Sequence, residues 1–240
     1  MQRRPKAIVF DMGGVFLTAA SRWEADTFAL SFPEGLREAA PFDWFLALSQ
    51  ACLTHYTSHA VPRPAVELGP VIGEHLAARG IEPTAEAVRR WSGIVAQWEV
   101  RPIYPHVGAT LAELNALGIR LGLVSNTVFD GRLHRINFAR HGILERLETT
   151  VFSAEFGWNK PHPGIFAHAL DAMGVDPGDA WYVGDRPDRD VCGAHGAGMT
   201  AVLVNSAHVG AVTKAPENRP DLWVTNIASL AGIVARLSAG

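Results

Sequence analysis

Three short apolar runs in this chain each end in residues that can do chemistry. Lys6–Phe10 leads into Asp11, Ile119–Val124 into Ser125-Asn126-Thr127, and Ala180–Val183 into Gly184-Asp185. Each run has the length and composition of a buried strand. In a parallel sheet such strand ends emerge on one edge, where open α/β sheets bind ligands, so residues far apart in the chain converge. Between the last two runs lies Trp158-Asn159-Lys160-Pro161-His162-Pro163-Gly164-Ile165-Phe166, with Lys160 just ahead of a helix that Pro163 helps to start. The chain has only three lysines, Lys6, Lys160 and Lys214, so one inside a proline-flanked loop stands out.

The chemistry open to this set is specific. Two carboxylates, Asp11 and Asp185, can hold a hard cation through oxygen. A serine hydroxyl, backbone N–H groups and a lysine can bind the oxygens of a phosphate. An aspartate facing that phosphate can attack phosphorus, giving an aspartyl-phosphate that water then opens. The cation and the lysine neutralise charge, and most of the catalysis is positioning and electrostatics. Each residue also has a plainer reading. Asp11 before Gly13-Gly14 can be an ordinary turn, Lys160 a solvated loop lysine, Ser125 and Thr127 a helix cap. Asn126 holds the backbone of the phosphate loop or touches the ligand. Asp188 is read as a capping residue near the start of the Pro187 helix.

The elements that must position these residues follow from periodicity. Strands at 6–10, 119–124, 149–152, 180–183, 199–204 and 222–224 alternate with helices at 107–117, 163–173, 187–197 and 227–237. That order predicts a doubly wound parallel sheet. Val15–Thr18 reads as a brief extended flap. From about Ser21 to Val100 apolar residues recur at three- and four-residue intervals, broken by Pro33, Pro62, Pro64, Gly80 and Pro83. This predicts about four helices inserted after the first strand. Arg101–His106 is the return linker. The division is therefore a core of 1–18 with 101–240 and a helical cap of 19–100. Asn205–Asp221 is read as the mobile surface segment.

At 240 residues, 48% hydrophobic and net charge −3, the chain can bury a sizeable core and carries no basic run of the kind nucleic acid needs. No stretch is long enough to span a membrane or to serve as a signal peptide. Cys52 and Cys192 lack metal-type spacing and read as small apolar residues in a reducing compartment. A cytoplasmic protein, monomer or homodimer, with a small phosphorylated metabolite as partner is expected. His55 and His59 stand one helical turn apart, a metal-site spacing without a third ligand, and read as a polar helix face. Trp23, Trp44, Trp91 and Trp98 read as cap core, and Trp158 has the best claim to line the site. His106, His162 and His195 read as surface or structural residues.

Four motifs, taken in order, carry a resemblance: Phe10-Asp11-Met12-Gly13-Gly14-Val15; Leu123-Val124-Ser125-Asn126-Thr127; Lys160-Pro161 leading into Ile165-Phe166; and Val183-Gly184-Asp185-Arg186-Pro187-Asp188-Arg189-Asp190 running into Gly193-Ala194 and Ala197-Gly198-Met199. The chain resembles the haloacid dehalogenase superfamily of aspartate-nucleophile hydrolases over nearly the whole core, with an insert similar to the C1-type cap. The resemblance implies a Rossmann-like core and Asp11 as nucleophile and metal ligand. It makes Asp185 a second metal ligand, with the Gly13 backbone carbonyl as a further one. Ser125 and Lys160 would bind phosphate, Lys160 also steadying Asp11. Asp190 would orient Lys160 or a metal-bound water. Magnesium is the implied ion.

The chain departs from the family pattern at one place. Most phosphatases of the family carry a second aspartate two residues after the nucleophile, which protonates the leaving group. Here that residue is Gly13. A positioned general acid contributes about 10²–10⁴-fold in rate. A phosphatase with a substitute acid, or with substrates whose leaving groups need little help, is the leading expectation. A metal-independent haloacid dehalogenase and a degenerate, ligand-binding relative are the alternatives. A phosphonate hydrolase with a cap lysine is excluded, because residues 16–100 contain no lysine.

Overall fold

The computed structural model describes residues 3–18, 42–57, 64, 67–96, 100–129, 131–204 and 215–238. Six strands form one parallel sheet: β1 (Ala7–Phe10), β2 (Arg120–Ser125), β3 (Thr149–Phe152), β4 (Ala180–Gly184), β5 (Thr200–Val204) and β6 (Leu222–Val224). Their order is β3-β2-β1-β4-β5-β6. The chain builds outward from β1 to β3, then returns to the other side of β1, so a topological switch point lies between β1 and β4. Asp11 and Asp185 follow those two strands directly.

Nine helices are present among the described residues. α1 (Phe42–Thr57), α2 (Gly69–Ala78) and α3 (Ala85–Ala96) lie between β1 and α4 (Val107–Ala116). α5 (Arg132–Arg140), α6 (Ser153–Phe156), α7 (Pro163–Met173), α8 (Cys192–Gly196) and α9 (Leu230–Ser238) follow among the strands. Both faces of the sheet are covered, which is why its strands read as continuous apolar runs rather than alternating ones. Ile8, Phe10, Trp181 and Val183 pack with Leu111 and Leu114 of α4 and Val234 of α9. Ala7, Val9 and Tyr182 pack on the opposite side with Ile165, Phe166 and Ala169 of α7 and Ala194 of α8. Successive residues of one strand thus serve two separate cores, as a period of two requires.

Helices α1 to α3 close around their own apolar cluster of Phe45, Leu48, Cys52, Ile72, Leu76, Trp91 and Val95. Trp44 and Trp91 meet edge to face at 4.9 Å. Phe129, in the turn after β2, joins this cluster, and Pro64 bridges to Trp158. Both attachments come from segments that follow strand ends, so the helices contact the sheet at its carboxyl edge. The fourth expected helix, with Trp23, falls in 19–41, and His59, Trp98 and the 205–214 part of the expected mobile segment likewise lie outside the described residues.

Some expectations need correction. Residues 15–18 are extended only in part: Leu17 bridges Ile103 antiparallel, the Thr18 N–H donating to the Pro102 carbonyl and the Tyr104 N–H to the Phe16 carbonyl, while 14–16 form a turn. Phe16 and Leu17 both donate N–H to the Met12 carbonyl, closing a turn, and Val15, Phe16 and Leu17 are buried in the sheet core. The helix expected at 187–197 begins as a π-helical turn over Pro187–Val191 before α8. The last helix opens with a 3₁₀ turn at Ile227–Ser229, where the Asn226 side chain accepts from the Ala228 N–H. No helix among the described residues is long and apolar enough to cross a membrane.

Candidate active site

Asp11 is the first residue past β1, and its N–H donates to the Val183 carbonyl of β4 at 2.8 Å. That bond holds it at the switch point. Asp11 and Asp185 are each 7% exposed, and Lys160 and Asp190 2%. Oxygens from Asp11, Asp185 and Asp190 lie within 4.8 Å of one another.

Lys160 organises the cluster. Its Nζ donates to Asp11 Oδ1 at 2.7 Å, to Asp190 Oδ1 at 2.7 Å and to the Tyr182 hydroxyl at 2.7 Å. The Val124 carbonyl lies 3.2 Å away. An ammonium has three N–H groups, and the three short contacts account for them. Burial alone would pull the Lys160 pKa down, but the carboxylates of Asp11 and Asp190 outweigh it and hold it raised. The side chain therefore stays a cation although buried. Removing one partner of a buried ion pair typically costs about 3–5 kcal/mol, because the other charge is left uncompensated.

Asp190 uses both oxygens. Oδ1 receives Lys160, while Oδ2 accepts from the main-chain N–H groups of Asp185 at 3.0 Å and Arg186 at 2.9 Å. The π-helical turn delivers this carboxylate back over β4. A side chain at Gly184 would place Cβ 2.3 Å from Asp190 Cγ, so only glycine fits under it.

Asp185 is held differently. Burial, then the neighbouring charges of Asp11 and Asp190, push its carboxyl up to about 8. Gly14, at φ +78°, runs so close that a Cβ there would lie 2.3 Å from Asp185 Oδ2. The donor set fits a hard divalent cation: it is all oxygen, it is gathered tightly, and it carries more negative charge than Lys160 offsets. Because Asp190 is committed on both oxygens, Asp11 and Asp185 are the carboxylates best placed to hold such an ion.

Ser125 ends β2, and the register of Phe10 beside Leu123 puts it just past the paired strands near Asp11. Asn126 is committed to the lysine loop: its Oδ1 accepts from the Lys160 N–H at 2.7 Å and its Nδ2 donates to the Lys160 carbonyl at 3.1 Å. Of the two roles expected for Asn126, holding backbone is the one its geometry performs. Thr127 closes a local turn, its Oγ1 accepting from the Phe129 N–H at 3.1 Å. Gly13 is part of the turn after Asp11 and brings no side-chain proton donor. Asp188 does not cap its turn as expected; it pairs with Arg186 at 3.2 Å and Arg189 at 3.6 Å, the stronger attraction for a carboxylate flanked by two guanidinium groups.

Trp158 is 40% exposed and stacks on His162 at 4.7 Å. His162 in turn caps α7, its Nδ1 accepting from the Gly164 N–H at 3.1 Å. His195 is structural, within reach of Asp221 and the Glu217 carbonyl. Cys52 is buried in the helical cluster, which pushes its thiol up to about 12. Sequence reasoning missed Tyr182, which reads as one more strand aromatic. It also missed the steric demands that make Gly14 and Gly184 obligatory. A polar-tipped aromatic three residues before Asp185 was the available signal for the first.

Residues 71–204 match the family described as haloacid dehalogenase-like hydrolase. A phosphoserine phosphatase of Thermus thermophilus is 34% identical over 200 residues, covering 80% of this chain and 78% of that one. A glyceraldehyde 3-phosphate phosphatase of Methanopyrus kandleri is 40% identical over 101 residues, covering 42% of each chain. Among solved structures, a 2-haloacid dehalogenase from Pseudomonas syringae pv. Tomato DC3000 superposes with a TM-score of 0.66, covering 98% of this chain and 99% of that one at 22% identity. At that identity the likeness is one of fold.

Proposed function

The chain belongs to the haloacid dehalogenase-like hydrolases, and on that premise we propose that it hydrolyses small phosphate monoesters through an aspartyl-phosphate at Asp11. The observation that carries this reading is the Lys160 ammonium, buried and held 2.7 Å from both Asp11 and Asp190. It fixes one oxygen of Asp11 at the carboxyl end of β1.

In the first half-reaction an Asp11 oxygen bonds to phosphorus while the bond to the ester oxygen breaks, and the departing alkoxide takes a proton from water. In the second, water attacks phosphorus and gives up a proton that offsets the hydroxide left by the first, the Asp11 carboxylate leaves, and inorganic phosphate is released. Ser125 and the backbone N–H groups after it receive the phosphate oxygens. Lys160 balances the charge on Asp11 from beside it, held by Asp11, Asp190 and Tyr182. Asp11, Asp185 and the Gly13 carbonyl would hold magnesium, which supplies charge neutralisation at the phosphate. Helices α1 to α3, at the carboxyl edge, serve as the cap over 19–100 that excludes water from the core of 1–18 and 101–240.

With glycine at position 13 no side chain there protonates the leaving group. The substrates that suit this site have leaving groups stable without that proton, such as sugar 1-phosphates, acyl phosphates and aryl phosphates. The phosphoserine and glyceraldehyde 3-phosphate of the relatives belong in the same panel. The test is phosphate release from 4-nitrophenyl phosphate and that panel, with and without magnesium, beside Asp11→Asn. Magnesium-dependent release that falls by about 10³-fold or more in the variant is expected, as for loss of a nucleophile. Equal release by both proteins, or none from the wild type in the presence of magnesium, would overturn the reading.

A further inference from the structure

Tyr182 lies wholly inside the protein, on β4, with its ring edge-to-face against Phe166 at 4.9 Å. Its hydroxyl reaches past β1 and donates to the Val124 carbonyl of β2 at 2.9 Å. The direction of its other bond follows from chemistry. The Lys160 ammonium has protons and no lone pair, so at 2.7 Å the phenol oxygen must accept from Nζ, and its own single proton goes to Val124. Burial, with the nearby carboxylates, holds the phenol well above its ordinary pKa, so that proton stays in place. The result is a chain from the Lys160 ammonium through the phenol to the residue just before Ser125.

We propose that Tyr182 is a positioning residue that sets where the Lys160 ammonium stands between Asp11 and Asp190, and ties that position to the strand bearing Ser125. The proposal rests on the reading of Asp11 as nucleophile given above. Three anchors define a point: two carboxylates pull Nζ toward the ends of β1 and β4, and the phenol holds it from below. Without the hydroxyl, the freed N–H can turn to the Val124 carbonyl, now 3.2 Å away. Nζ then moves toward β2, and the oxygen of Asp11 that it steadies moves with it. Misplacement of a reacting group by about 1 Å can cost about 10²-fold in rate. Tyr182 is too deep to touch substrate, so the loss falls on turnover and spares binding.

The variant is Tyr182→Phe in the full chain, which keeps the ring and its contact with Phe166. With 4-nitrophenyl phosphate and magnesium, kcat falls about 10- to 100-fold while KM stays within about twofold. A second readout needs no turnover. The chain has three lysines, so lysine-selective ¹H–¹⁵N spectra are simple, and an ammonium buried by three hydrogen bonds exchanges slowly enough to be seen. One protected signal is expected in the wild type, absent in Lys160→Met and shifted or broadened in Tyr182→Phe. In the wild type that signal also shows a nuclear Overhauser contact with the Tyr182 ring, which decides the matter even if the variant does not fold. A wild type without the protected signal or the contact, a variant whose signal is unchanged, or a kcat within twofold of the wild type would each overturn the proposal. Should the wild type release no phosphate, the functional reading falls, while the spectra still decide the place of Tyr182.

Discussion

Gly14 and Asp185 compete for the same space. At φ +78° the Gly14 backbone passes within contact of the Asp185 carboxylate, and a methyl group there would overlap Oδ2 at 2.3 Å. Gly14→Ala therefore meets two penalties at once, a conformation that L side chains resist and a displaced carboxylate. The expected outcome is a loss of about 1–3 kcal/mol in stability from the strained backbone, with weaker magnesium binding. Calorimetric titration of magnesium beside a thermal melt checks both, and unchanged magnesium affinity would mean that Asp185 is not held against this turn. Asp11, Ser125 and Asp185 were legible because a polar residue closing an apolar run is conspicuous, and Lys160 because it is one of three lysines and sits in a proline-flanked loop. Tyr182 and Gly184 were not. Their partners, Lys160 and Asp190, arrive from elsewhere in the chain, and neither residue looks unusual in its own strand.

At the scale of elements, the lysine loop is held by one side chain. Asn126 pairs with both main-chain groups of Lys160, at 2.7 and 3.1 Å, and so imitates a strand neighbour for a segment that has none there. Asn126→Ala strips these partners from a buried N–H and C=O, which costs about 1–3 kcal/mol for each group left unsatisfied. Turnover should fall along with stability, because the loop sets the origin of the Lys160 side chain. Asn126→Asp should not restore it, since a carboxylate would face the Lys160 carbonyl where an amide N–H now donates. Melting midpoints and kcat of the two variants check this, and wild-type turnover in Asn126→Ala would show that the loop is fixed by other means. The strands β1, β2, β4 and β5 were readable here because they are buried on both faces, and α7 because Pro163 and Gly174 punctuate it. α5 was not: its buried pair at helical spacing is His134 and Phe138, and three arginines and an asparagine hide the apolar face. α6 is a single turn, too short for any period to show.

The charge balance of the whole protein turns on the same cluster. Folding brings Asp11, Asp185 and Asp190 together against one ammonium, and the carboxyl of Asp185 rises to about 8, from about 3.9 in an unfolded chain. Between these values the folded protein holds a proton that the unfolded chain has released. Stability of the metal-free protein therefore declines as pH rises through this window and levels off above about pH 8. A divalent cation reverses the sense of the effect, because it favours the ionised carboxylate. Below pH 8 its binding must expel the proton, so apparent affinity weakens by up to about tenfold per pH unit as the solution is acidified. The rise in melting temperature caused by magnesium should accordingly be larger at pH 8 than at pH 6, since bound ligand stabilises in proportion to the logarithm of its concentration over Kd. Melts in chelator and in magnesium across this range check the prediction. Asp185→Asn, which cannot release a proton, should flatten the decline in the metal-free protein and abolish most of the magnesium effect. A magnesium-induced shift that is the same at both pH values would mean that the ion does not meet Asp185.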